Sequence, residues 1–223
     1  MPGTVNGLDP ARYPKLYGSI GRVMALYGLE EMAVVEERQS LFKNPLNIQG
    51  WSHPPRLKVT RLSLGFMEGL DEGEIDSIVA HELSHISHFD FTVMAASFIL
   101  FAVLAVIVTA VGLIGFLGCP CMATLLLVLL TLGYLRFLGF LSRRDEARSD
   151  RESLRRIGKP DCFKSALVKF YEEGERMGIR PGLPGRLQVL TGPMYPPLEA
   201  RLAMAERYRR KLERKGRRGT MWP

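Results

Sequence analysis

The sequence predicts a mainly helical α+β protein, with a small sheet, interrupted by a two-helix transmembrane hairpin. Three observations carry that prediction. From Phe91 to Leu135 the chain has no Asp, Glu, Lys, Arg or His. One span needs about 20 apolar residues, so this block holds two spans and a turn. Amphipathic helical patterns flank it on both sides. Only Leu57–Leu64 reads as a strand. A length of 223 residues fits one domain.

The elements follow in order. The opening MPGTVNGLDPARYP has no apolar run behind a basic start, so no signal peptide is expected. Ala11–Leu29 reads as a helix, with Leu16, Ile20, Val23, Met24 and Tyr27 at helical spacing. Asn44–Pro55 (NPLNIQGWSHPP) is rich in turn residues and reads as a loop. LKVTRLSL, from Leu57 to Leu64, starts β-branched and partly alternates, as a short strand does. Asp71 is a good N-cap, and Glu74 three residues on closes a capping box. Ile75, Ile78, Val79, Leu83 and Ile86 then mark one stripe of a helix expected to run to, or into, the first span. The spans are placed at Val93–Leu117 and Met122–Leu141, with Gly112, Gly115, Gly118 and Pro120 punctuating the middle. A buried pair of core helices is the competing reading, but core helices seldom stay apolar on every face. Ser142–Ile157 and Lys164–Met177 read as charged helices, Pro181–Pro197 as a Gly/Pro loop and Leu198–Lys215 as a basic helix.

Charge and cysteine usage narrow the class. The net charge is +7. Arg136 lies near the end of the second span, Arg143 and Arg144 follow it, and RYRRKLERKGRR (207–218) sets eight basic residues against Glu213. Lys and Arg accumulate on the cytoplasmic side of membranes, and basic segments gain from anionic lipid. A merely solvated helix face is the equal alternative for the tail; with the two spans, a lipid bilayer is the expected partner. The tail has no accompanying nucleic-acid-binding motif, so no nucleic acid is expected. Cys119, Cys121 and Cys162 form neither a disulfide framework nor a Cys-rich zinc pattern.

The chemistry sits in HELSH. Residues four apart share a helix face, so His81 and His85 can hold one ion. Glu82 lies one step round the helix, within reach of an attacking water as a general base. This is the HExxH arrangement of zinc hydrolases. A catalytic zinc needs a third protein ligand and an open position. Two spans return the chain to the side it left, so SRRDEARSD (142–150) can fold back onto HELSH. Glu146 and Asp150 share a helical face there, one able to ligate and the other to orient a histidine. Spacing alone does not choose between Asp145, Glu146 and Asp150. His88 shares the histidine face, but three histidines on one helix make a poor tetrahedron. Asp90 suits a local hydrogen bond, and His53 has no evident partner.

These residues resemble the HtpX-type integral-membrane zinc metallopeptidases, kin to the CAAX prenyl endopeptidases. DEGEIDSIVAHELSHISHFD (71–90) looks like the family's active-site helix, followed as there by an apolar hairpin. SRRDEARSD looks like its Ser-Arg-x-x-Glu-x-x-Ala-Asp block, and PPLEARLA (196–203) like its Pro-Pro-x-x-x-Arg-Ile block. The resemblance implies a gluzincin-like fold and one Zn2+ per chain on His81, His85 and Glu146. It implies Glu82 as the catalytic base, with Asp150 and Arg201 behind the ligands. It also implies an integral protein of the cell membrane with a cytoplasmic catalytic domain. Its substrates would be proteins or peptides, chiefly misfolded membrane proteins, and an extended substrate would add beside Leu57–Thr60. On this reading residues 1–90 and 142–206 form the catalytic domain, 91–141 the hairpin and 207–223 a basic tail.

Some positions depart from the family. No spans precede the catalytic helix, Ser84 stands for Gly, and Ser149 for Ala. NPLNIQG only loosely matches the edge segment. Tyr195 replaces the usual His, and its hydroxyl can donate to an oxyanion. The competing function is a non-catalytic membrane adaptor on a metalloprotease scaffold. Loss of Glu82 or a ligand would mark it, and none is lost.

Overall fold

The computed structural model describes residues 4–37, 48–52, 54–113, 120–178 and 195–219. The elements are β1 (Thr4–Asn6), α1 (Pro14–Tyr27), β2 (Glu31–Glu37), β3 (Ile48–Ser52), β4 (Pro55–Thr60), α2 (Arg61–Glu68), α3 (Glu72–Ser87), α4 (Asp90–Leu113), α5 (Pro120–Ile157), α6 (Pro160–Arg176) and α7 (Leu198–Gly219). The protein is α+β, mostly helical, with one four-stranded sheet. Its residues fall into two compact units. One comprises Met1–Phe89, Ala147–Pro181 and Pro196–Pro223, the other Asp90–Glu146 and Gly182–Tyr195.

In the first unit the strand order is β1-β2-β4-β3. β1 pairs parallel to β2, β2 parallel to β4, and β3 antiparallel to β4. Leu16, Ile20, Val23 and Met24 of α1 meet Met32 and Val34 of β2, Leu57 and Val59 of β4, and Ile75, Val79 and Leu83 of α3 in one buried core. Each fully buried side chain of this kind stabilises by about 1.5–3 kcal/mol. Helix α3 is the hub. Ser19 of α1 donates to its Asp76 at 2.5 Å. Tyr27 of α1 donates to Ala80 O at 2.7 Å. Ser153 of α5 donates to Ser77 O at 2.7 Å, and Lys169 of α6 to Glu74 at 2.8 Å. At its start, Glu74 accepts from the Asp71 N–H at 3.0 Å, the reciprocal half of the expected capping box.

Three expectations need correction and one is narrowed. Asn44–Pro55 is not all loop, because β3 occupies Ile48–Ser52. The pairing with β4 that makes it a strand is invisible in its own turn-rich composition. The strand expected through Leu64 stops at Thr60, whose side chain accepts the Ser63 N–H and starts α2. The helix carrying HELSH, expected to run to or into the first span, runs to it but not into it: α3 ends at Ser87 with His88 as its C-cap, and Phe89 adopts a left-handed φ of 57° before α4 begins. Finally, Leu57–Thr60 is an interior strand with neighbours on both sides, so it cannot accept another; among the described residues the edges are β1 and, beside β4, β3.

In the second unit, α4 and α5 are long and apolar enough to cross a membrane. Phe101 and Tyr134 stack at 4.2 Å between ring centres, and Ser97 Oγ lies 3.4 Å from the Tyr134 hydroxyl. Phe98, Ile99, Leu100 and Val106 are each 60% or more exposed. A buried core pair would hide such residues, so that alternative fails. The apolar stretch and the charged segment after it form one continuous helix, α5. The expected junction at 114–119, the loop as far as 194, His53 and Cys119 lie outside the described residues.

Candidate metal centre

Helical spacing puts His81 and His85 on one face of α3, and their Nε2 atoms lie 3.2 Å apart. The rings are 4.9 Å apart and inclined at 77°. Nitrogen ligands about 2.0–2.1 Å from a tetrahedral zinc lie roughly 3.3 Å from each other. The pair therefore already has the spacing of two ligands of one ion. Glu146 completes the group: one ligand atom from each of His81, His85 and Glu146 lies within 4.8 Å of the others. Glu146 directly precedes Ala147 on the continuous helix α5, one turn before Asp150. The donor set of two imidazoles and a carboxylate suits zinc.

The other edge of each imidazole is held from α5. His81 Nδ1 lies 2.9 Å from Asp150 Oδ1. Asp150 is fully buried and takes a bidentate pair from Arg201, at 2.7 Å from Nε and 2.5 Å from Nη2. Burial alone would raise the Asp150 pKa, but His81 and Arg201 together hold it down to about 2. His85 Nδ1 lies 3.3 Å from Ser149 Oγ. Both imidazoles thus turn their Nε2 atoms toward each other and their Nδ1 atoms toward α5.

Glu82 lies beside this pair and accepts the Gly50 N–H of β3 at 2.9 Å. Gly50 has no room for a side chain, since a Cβ there would lie 2.5 Å from Glu82 O and 2.9 Å from Ile86 Cγ1. The edge strand is thereby seated directly on the HELSH helix.

Of the residues singled out in the sequence, His81, His85 and Glu146 come together, Asp150 and Arg201 stand behind His81, and Glu82 faces β3. His88 turns its Nδ1 to Ser84 O at 2.9 Å, a local contact within α3. Tyr195 is 44% exposed. Asp90 is buried. Sequence reasoning missed Gly50, although a glycine between strand-like residues signals close backbone approach. It also noted Ser149 only as a departure and gave it no task.

Comparison with known proteins agrees with this geometry. The family model "Peptidase family M48" matches residues 51–207. A protein named Protease HtpX homolog, from Moorella thermoacetica, is 26% identical over 231 residues, covering 92% of this chain and 76% of that protein. Protease HtpX homolog 1 of Streptomyces coelicolor is 27% identical over 93 residues, covering 41% of this chain and 29% of that protein.

Proposed function

The chain belongs to peptidase family M48 and is a metallopeptidase, and on that premise we propose a membrane-bound, zinc-dependent endopeptidase. The observation that carries the proposal is the convergence of His81, His85 and Glu146 next to Glu82 on the same helix. Those three residues would hold one Zn2+. The ion would act as a Lewis acid, lowering the pKa of a coordinated water to about 7 and polarising the scissile carbonyl.

The protein groups have separate tasks. Glu82, oriented by the Gly50 N–H, takes a proton from the attacking water and gives it to the leaving amine. Asp150, anchored by Arg201, fixes the His81 ring and its tautomer. Tyr195, just ahead of the Pro196–Pro197 pair, is assigned the oxyanion-donor role. An extended substrate adds to the outer edge of β3 through main-chain hydrogen bonds. Tyr195→Phe tests the oxyanion role; cleavage as fast as wild type would remove it.

Residues 1–90 and 142–206 make the catalytic domain, 91–141 the hairpin and 207–223 a basic tail. Arg136, Arg143, Arg144 and that tail assign the catalytic domain to the cytoplasmic side. Substrates in this reading are unfolded or misfolded membrane proteins, which present extended segments at the bilayer.

The test compares wild type with Glu82→Gln in detergent. Both should carry one zinc per chain, and digestion of an unfolded protein should fall at least about 100-fold in the variant. Equal digestion by both proteins would leave the non-catalytic adaptor as the better account.

A further inference from the structure

Residues 149 and 150 are neighbours on α5, and each faces the Nδ1 edge of a different imidazole. Asp150 lies 2.9 Å from His81 Nδ1, and Ser149 Oγ lies 3.3 Å from His85 Nδ1. Ser149 is completely buried. From this pairing we infer that Ser149 is a positioning residue for the second zinc-ligating histidine, an inference that rests on the metal-site reading above.

The reason is one of tautomers. An imidazole that ligates through Nε2 must carry its proton on Nδ1, and that N–H needs an acceptor. Asp150 supplies one for His81. At His85 the acceptor is the Ser149 hydroxyl oxygen, which holds the ring with Nε2 facing His81 Nε2 at 3.2 Å. A buried N–H without an acceptor disfavours the conformation that leaves it so. The two supports differ in kind. Asp150 is an anion backed by a guanidinium, whereas Ser149 is neutral. His81 is therefore the more strongly basic ligand of the two, and the support of His85 is geometric more than electrostatic.

The experiment measures zinc affinity of the full chain in detergent by chelator competition, separately from proteolysis. Ser149→Ala should bind zinc about 10-fold more weakly, at the lower end of the usual effect for such supporting groups. Ser149→Thr and Ser149→Val form the decisive pair. They have nearly the same shape, and only the first keeps a hydroxyl. Thermal melting of the metal-free proteins should not distinguish that pair, whereas zinc affinity should be near wild type for Ser149→Thr and about 10-fold weaker for Ser149→Val. Equal zinc affinity for the two overturns the inference while leaving the peptidase reading intact. If wild type itself binds no stoichiometric zinc, both readings fall together.

Discussion

Asp150 shows how much one side chain can decide. It is fully buried, and a buried carboxylate is tolerable only when paired and hydrogen-bonded. His81 on one side and Arg201 on the other supply that. Asp150→Asn should weaken zinc binding about 10- to 100-fold. It should also destabilise the protein by about 3 kcal/mol, because Arg201 is left buried without its anion. Isothermal zinc titration and thermal melting check the two effects separately.

Glu74 is a second buried carboxylate, 3% exposed, receiving Ser165, Lys169 and the Asp71 N–H. Burial pushes its pKa up, but these partners outweigh it and leave the pKa below its ordinary value of 4.5. A carboxyl group with a lowered folded-state pKa stabilises fully above its unfolded value and loses that stabilisation as pH falls through the folded one. Stability should therefore decline on the acid side, as pH falls below the ordinary carboxylate range. Glu74→Gln should flatten that decline and cost about 1–2 kcal/mol near neutrality. A melting series against pH that is equally steep in both proteins would contradict this.

At the scale of elements, glycines mark where segments touch. A Cβ on Gly73 of α3 would sit 2.7 Å from Cys162 Sγ of α6. Helix propensity favours Ala over Gly by about 1 kcal/mol, while overpacking costs about 1–3 kcal/mol. Gly73→Ala should thus destabilise by about 1 kcal/mol in the native background. With Cys162→Ala the sulfur is gone and the same change should become neutral or stabilising. A double-mutant cycle with no coupling would show that the contact does not matter.

Element boundaries were also where sequence reading fared least well. The amphipathic stripes of α1 and α3 are local and strong, so both helices were legible. Strands β1 and β2 were not anticipated, and β3 was read as loop. Their stability comes from partners far along the chain: Thr4 pairs with Glu31, and Gly50 with Leu57. A local pattern does not contain that information. Whether the helix stops at the span or enters it stayed open for a related reason, since the left-handed Phe89 runs against residue preference and only the surrounding structure can impose it.

For the whole molecule, α4 and α5 are long and apolar enough to cross a bilayer, and the orientation proposed above rests on charge asymmetry. A tag placed after residue 223 should be digested by added protease in inverted membrane vesicles and protected in right-side-out ones. The reverse pattern would refute the cytoplasmic assignment. Placing Arg at Leu129, 55% exposed in the apolar part of α5, should oppose insertion by about 2.5–3.5 kcal/mol, read as protein lost from alkali-washed membranes.

The sequence by itself determined the helix that carries HELSH, the two apolar helices, the pair His81 and His85, and the return of SRRDEARSD after them. Each is a matter of local spacing or of composition over a single segment, which the chain carries in any conformation. Spacing left open which of Asp145, Glu146 and Asp150 joins the histidines, and the family resemblance alone implied Glu146; the tertiary structure brings Glu146 to them and Asp150 to the Nδ1 of His81, puts β3 rather than β4 at that edge of the sheet, and sets Ser149 against His85. The contacts of α5 depend on which of its faces lies against α3, which the pattern of charges does not reveal, and the edge depends on strand pairings between residues far apart in the chain.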